Sequence, residues 1–189
     1  ILMARGLRSE IAALAITGAI FHMLNHAAFK GLLFLNAGAI EYSAGTRDLR
    51  QMGGLAKRMP FTSSTSLAAS LSISGIPPFN GFFSKLFIIV AAVMGRFYFL
   101  AALAAIVSII TLASFMKFQR YAFYNKEQGK FNREIREVPL PMLLSMITLA
   151  VICLLLSLLA LPGIRETVLS PATDILMDQA KYSSQITGM

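Results

Sequence analysis

Residues 11–40 form an apolar stretch that carries His22, His26 and Lys30. At about 1.5 Å per residue it is long enough to cross the ~30 Å hydrocarbon core of a bilayer as a helix. The three groups are spaced i, i+4, i+8, so at about 100° per residue they drift only about 80° and share one face. Glu41 returns to within about 20° of Lys30. At mid-bilayer each charged group costs at least about 2.5 kcal/mol. Lys30 is too far from either helix end to snorkel comfortably to the headgroups. The stripe therefore reads as a polar, water-lined path, with a structural row of hydrogen bonds as the alternative.

Composition agrees with a membrane setting. Hydrophobic residues make up 56% of the chain, charged residues only 14%, and the mean hydropathy is +0.67, values of a polytopic membrane protein rather than a soluble domain. The net charge of +8 would suggest nucleic acid in a soluble protein. Here the basic residues gather in two loops between apolar runs, where they are topology signals and no nucleic acid is expected. The single Cys153 lies in an apolar run, so neither a disulfide framework nor a cysteine metal site is expected. Residues 1–10, with Arg5, Arg8 and Glu10, show no pattern of a signal peptide. They read as the middle of something longer, or as the start of a partner to a separate N-terminal piece.

The sequence predicts an all-α membrane protein with about four transmembrane helices, spanning 11–40, 61–94, 97–116 and 139–161. The second is broken at Gly75-Ile76-Pro77-Pro78-Phe79-Asn80-Gly81. Pro77 and Pro78 remove two backbone donors and disfavour helix before them, while Gly75 and Gly81 permit dihedrals other residues avoid. Charge decides how that region is counted. Loop 41–60 holds Arg47, Arg50, Lys57 and Arg58, and loop 117–138 holds Lys117, Arg120, Lys126, Lys130, Arg133 and Arg136. A single discontinuous span leaves both loops on the cytoplasmic side, as the positive-inside preference asks. Two full spans would separate them. The last helix opens at Pro139 and Pro141 and closes at Pro162-Gly163. Residues 163–189 then form an extramembrane tail on the outer side, where Arg165 and Lys181 are outnumbered by Glu166, Asp174 and Asp178.

An interrupted membrane helix is tolerated only where the freed backbone is buried in protein or lines a wet cavity. Lys85 follows this break, too far from Arg96 and the interface for its side chain to reach water comfortably. A simple proline kink with a snorkelling lysine is the bland alternative. A lysine taken out of water can exchange its proton near neutral pH, and imidazoles relay protons readily. Lys30, Lys85, His22 and His26 are together the parts of a proton wire, with Glu41 added from helical phase alone. A structural role for Glu41 at the cytoplasmic interface stands beside that reading.

These residues also carry a resemblance. Phe21-His22-x-x-x-His26-Ala27-x-Phe29-Lys30-Gly31-Leu32-Leu33-Phe34-Leu35-x-Ala37-Gly38 is followed by Arg47-Asp48-Leu49-x-x-Met52-Gly53-Gly54-Leu55, and then by Gly75-Ile76-Pro77-Pro78-x-x-Gly81-Phe82-x-Ser84-Lys85. In order and spacing this resembles the antiporter-like subunits of respiratory complex I, Mrp cation/proton antiporters and membrane-bound hydrogenases. The resemblance covers nearly all of this chain but only the C-terminal part of the family's longer fold. It implies that Lys85 is the lysine of a discontinuous helix near the exit of a half-channel. It further implies that Lys30 is the lysine of the preceding helix, and that His22 and His26 connect along the central hydrophilic axis. Glu41 has no firm counterpart.

The expected function is a proton- or sodium-translocating subunit of a multisubunit membrane respiratory complex, or part of an Mrp-type Na+/H+ antiporter. A non-conducting assembly subunit packed against a complete antiporter-like subunit is the alternative. Expected partners are lipid and other membrane subunits, including one that supplies the missing N-terminal half, since a lone half-channel lacks its inverted-repeat partner. The expected location is the inner (cytoplasmic) membrane. No cofactor, catalytic centre or metal is expected: the chain has no cysteine cluster and no dinucleotide-binding turn, and two histidines are too few for a zinc site.

Overall fold

A computed structural model describes residues 9–126 and 134–178. Arg5, Arg8, Lys130, Arg133 and Lys181 lie outside the described residues. The elements are α1 (Ser9–Ala44), α2 (Leu55–Arg58), α3 (Pro60–Ser74), α4 (Asn80–Met94), α5 (Tyr98–Gln119), α6 (Leu140–Leu155), α7 (Pro162–Val168) and α8 (Ser170–Met177). No strand occurs among the described residues. Short 3₁₀ turns cover Leu49–Gln51 and Leu156–Ala160, and a π-helical turn covers Arg120–Tyr124.

α1, α5 and α6 are long and apolar enough to cross a membrane, α5 and α6 when their continuing turns are included. The fold is that of an all-α, multi-pass membrane protein. α1 is the axis, packing on α3, α4, α6 and α8. Its 36 residues span roughly 54 Å at about 1.5 Å per residue, well beyond a hydrocarbon core of about 30 Å. Gly18 allows its close approach to α4, since a Cβ there would lie 3.2 Å from atoms of Phe87 and Ile88.

The broken segment is two helices of 15 residues each. Gly75, at φ +78°, ends α3 in the left-handed conformation, and the N–H of Ile76 reaches back to the carbonyl of Leu71 at 3.0 Å. With the Gly75 N–H on the Ser72 carbonyl at 3.1 Å, the helix closes with these two carbonyls partnered. Gly81 then comes so near α3 that a Cβ would sit 1.8 Å from the Ser72 carbonyl oxygen. Only glycine fits there.

Several helix ends differ from those expected. α1 continues through Ala44, so Glu41 belongs to a helix and not to a loop. The helix that begins with α5 runs on through its π turn to Tyr124, because Ala122 and Phe123 are buried in the core. α6 tightens into the 3₁₀ turn after Leu155 and closes at Leu161, while Pro162 starts α7, as a proline with no N–H to lose can.

The described parts of both basic loops lie at one end of the bundle. The Ser43 hydroxyl donates to the Arg136 carbonyl at 2.7 Å, and Glu137 accepts from the N–H of Phe61 at 2.9 Å. At the opposite end the chain after α6 folds back on α1: Leu169 and Thr173 are buried, and the Thr17 and Thr173 hydroxyls hydrogen-bond at 2.9 Å.

Candidate functional site: a lysine at the helix break

The gap between α3 and α4 leaves backbone carbonyls without helical partners. Lys85, on the second turn of α4, answers this: its Nζ donates to the Ile73 carbonyl at 2.7 Å. Its stem crosses Gly75, where an added Cβ would meet Lys85 Cδ at 3.1 Å. The amine is thus anchored on the last turn of α3 and half-buried. Ser84, the residue before it in α4, is fully buried, with its Oγ 3.0 Å from Nδ1 of His22. Ser84 thus ties His22 of α1 to the turn of α4 that carries Lys85.

A second layer supports this one. Asn25, one turn along α1, donates to the Asn80 carbonyl at 2.9 Å and accepts from the Asn80 amide at 3.0 Å. The Ser72 hydroxyl donates to Asn80 Oδ1. All three side chains are fully buried. A buried carboxamide pair without these bonds would cost about 1–3 kcal/mol per orphaned group, so the mutual pairing fixes the start of α4 against α1.

The remaining residues expected in the row are arranged differently. His26 is exposed on the flank of α1, its ring 6.1 Å from that of His22 and 5.3 Å from that of Phe29. Lys30 is half-buried and has no hydrogen bond or ion pair among the described residues. Glu41 stands about 16 Å further along the helix, paired with Arg47 at 2.7 Å. It opens onto a cavity of about 540 Å³ shared with Phe34 and Phe118. Its carboxylate holds the exposed Arg47 guanidinium above its ordinary value. The structure brings together His22, Ser84, Lys85 and the break glycines. Among the described residues Lys30 makes no hydrogen bond to that cluster, and Glu41 lies about 16 Å further along α1.

Sequence reasoning missed the polar groups opposite the row: Ser84, Asn80, the hydroxyls of α3, Gln119 and Glu137. One signal was present, since Thr62, Ser66, Ser70 and Ser74 recur every fourth residue. Among the described residues no group of three or more His, Cys, Asp or Glu side chains could hold a metal ion.

Comparison with known proteins decides the family. Residues 3–111 match the family described as NADH:quinone oxidoreductase/Mrp antiporter, TM. The chain belongs to this family. Na(+)/H(+) antiporter subunit A1 of Staphylococcus saprophyticus is 54% identical over 80 residues, which is 42% of this chain and 10% of that protein. The corresponding Staphylococcus aureus subunit is 52% identical over 77 residues, 41% of this chain and 10% of its own. The matched region is thus about a tenth of these antiporter subunits. Among solved structures, the Mrp complex from Dietzia sp. superposes with a TM-score of 0.78 at 29% identity, covering 90% of this chain and 39% of that one. The membrane-bound sulfane sulfur reductase, an archaeal respiratory membrane complex, gives 0.73 at 30% identity, covering 82% and 25%.

Proposed function

We propose that this chain supplies one half of a proton- or sodium-conducting path in a multisubunit membrane complex, of the Mrp antiporter or respiratory type. Other membrane subunits provide the other half. The observation that supports this most is the anchoring of Lys85: an amine held 2.7 Å from a carbonyl freed by the helix break, with His22 hydrogen-bonded to the preceding residue, Ser84. A carbonyl accepts a hydrogen bond from a neutral amine and from an ammonium alike, so Lys85 can gain and lose a proton without leaving its seat. Ser84 and the imidazole can each accept one proton while releasing another.

Lys30 and His26 extend the path along the open flank of α1, where a neighbouring subunit is to close it. Glu41, paired with Arg47, marks the end of that flank. The basic loops face the cytoplasm of a cell whose inner membrane holds the complex, and α7 and α8 lie on the far side. Lipid covers the apolar outer faces.

The test is ion translocation by the native complex in liposomes. Lys85→Ala is expected to reduce it on the order of a hundredfold, the scale of a lost acid–base group, and Lys30→Ala by at least about tenfold. Full transport with both lysines removed would leave only a packing role for the chain.

A further inference from the structure

The cavity of about 540 Å³ beside Glu41 is separate from the Lys85 site. α1 and α5 both pack on α3, and the cavity lies between them at the loop end, with Leu49 and Met52 of the loop as a further wall. Along α1 it runs from Phe34 to Glu41, about 10 Å. Its walls are mainly apolar: Phe34 is 74% exposed, and Phe118 is held edge-on to the buried Phe123, ring centroids 6.2 Å apart. At the loop end stands a pair of opposite charges. Arg47 and Glu41 meet at 2.7 Å, with side chains 81% and 44% exposed. The volume falls within the range of about 300–1,000 Å³ found for small-molecule sites.

Gly38, which lines this cavity, is a second observation. It lies inside α1, where glycine weakens a helix relative to alanine. Neither packing nor backbone conformation asks for it: a Cβ there would meet nothing within 4 Å, and its φ is not positive. What the missing side chain does is widen the cavity. The depth is also set by the sequence. Phe118 lies between Lys117 and Arg120, whose side chains reach to headgroup level. The polar interface beside the hydrocarbon core is about 5–8 Å thick. A cavity about 10 Å long that is apolar at Phe34 and charged at Glu41 and Arg47 therefore crosses the boundary between acyl chains and headgroups.

We propose that this cavity seats one phospholipid with a zwitterionic, primary-amine headgroup, of the phosphatidylethanolamine type. An acyl chain lies against Phe34, Gly38 and Phe118. The lipid phosphate accepts from the Arg47 guanidinium, and the lipid ammonium donates to the Glu41 carboxylate. A guanidinium has five N–H donors and a carboxylate about four acceptor sites, so the contact between Arg47 and Glu41 leaves each with capacity for a headgroup. The pair of charges also selects. A quaternary headgroup has no N–H to give Glu41, and an anionic headgroup places its net negative charge beside that carboxylate. Water is a poor occupant, since apolar cavities stay dry. The seat does not depend on ion conduction through Lys85.

The experiment places the native complex in nanodiscs with a photoactivatable acyl-chain analogue of phosphatidylethanolamine, phosphatidylcholine or phosphatidylglycerol, and measures the label on residues 31–47 by mass spectrometry. The ethanolamine lipid is expected to label this segment about tenfold more than either other lipid, the scale of one charge-assisted hydrogen bond. Gly38→Leu, whose side chain fills the cavity, should lower that label about tenfold, whereas Gly38→Ala should keep it. Glu41→Gln should remove the preference over phosphatidylcholine. Equal labelling by the three lipids, strongest labelling by phosphatidylglycerol, or unchanged labelling in Gly38→Leu overturns the proposal. If the Gly38→Leu complex fails to assemble, a high-resolution map of the unmodified complex in phosphatidylethanolamine nanodiscs decides. A headgroup between Arg47 and Glu41 supports the seat; an empty cavity, or one filled by a neighbouring subunit, refutes it.

Discussion

α3 and α5 are neighbours, and they place their hydroxyls in opposite settings. On α5, Ser108, Thr111 and Ser114 donate to the carbonyls of Ala104, Val107 and Ile110 in their own helix, and among the described residues no other helix hydrogen-bonds them. Around them Leu103, Ile106, Val107, Ile109 and Ile110 are exposed on an apolar flank. On α3, Ser70 and Ser74 make the same local bonds. There, however, Ser66 and Ser70 also accept from Gln119, Thr65 donates to Asn36 of α1 at 2.9 Å, and Ser72 donates to Asn80 of α4. A local bond lets a hydroxyl sit in oil. The oxygen's remaining acceptor capacity lets it bind helices together, which in a bilayer replaces the water-driven clustering of apolar side chains. The polar helix is thus the interior of this bundle, and the apolar one its outside.

The contrast can be broken most forcefully at the helix break. Gly81→Ala pushes a Cβ into the Ser72 carbonyl and is expected to destabilise the protein by at least about 3 kcal/mol. Loss of folded complex on size-exclusion chromatography in detergent would register it. Asn80→Ala removes the side-chain bonds to Asn25 and Ser72 while keeping the backbone carbonyl that Asn25 also uses. A cost of about 1–3 kcal/mol is expected, measured as a drop in thermal-unfolding midpoint. Ile109→Ser on the open flank of α5 should cost under about 1 kcal/mol in the same assay, because the new hydroxyl can bond within its own helix. A loss there as large as that of Asn80→Ala would abolish the distinction between the two helices.

The smallest effect belongs outside the bundle, where charges meet water. The Asp48 carboxyl accepts from the side chain and the backbone N–H of Arg50, which together hold it below its ordinary 3.8. A carboxyl lowered in this way contributes stability that is present above that value and lost as pH falls below it. The turn at Leu49–Gln51 should therefore loosen only on strong acidification. Amide exchange at Arg50 in Asp48→Asn should already be raised at neutral pH, with the unfolding midpoint of the bundle unchanged.

The break was legible because prolines and glycines act through the local backbone: Pro77, Pro78, Gly75 and Gly81 announce an interruption whatever the rest of the chain does. That the two basic loops share an end was legible too, since the counting of crossings by charge needs no side-chain contacts. Lys85 stood out as an amine far from any interface. The partner of each polar group was not legible. Asn25 and Asn80 are 55 positions apart, and their pairing depends on the angle and depth at which α1 and α4 meet. Helical phase put Glu41 on the face of Lys30, but phase says nothing of Arg47 arriving from the following loop to pair with it. Equally illegible was what the α3 hydroxyls meet: Gln119 reaches Ser66 and Ser70 from α5, and Asn36 meets Thr65 from α1.

The tight seam at Gly18 has a mechanical consequence. α1 and α4 are pinned at two heights, by backbone-close packing at Gly18 and by the Asn25–Asn80 exchange of bonds. They form a single strut. Displacement of α1 is therefore expected to carry α4 and Lys85 with it, and residues 75–79, the short uncoiled joint to α3, are where backbone angles are free to change.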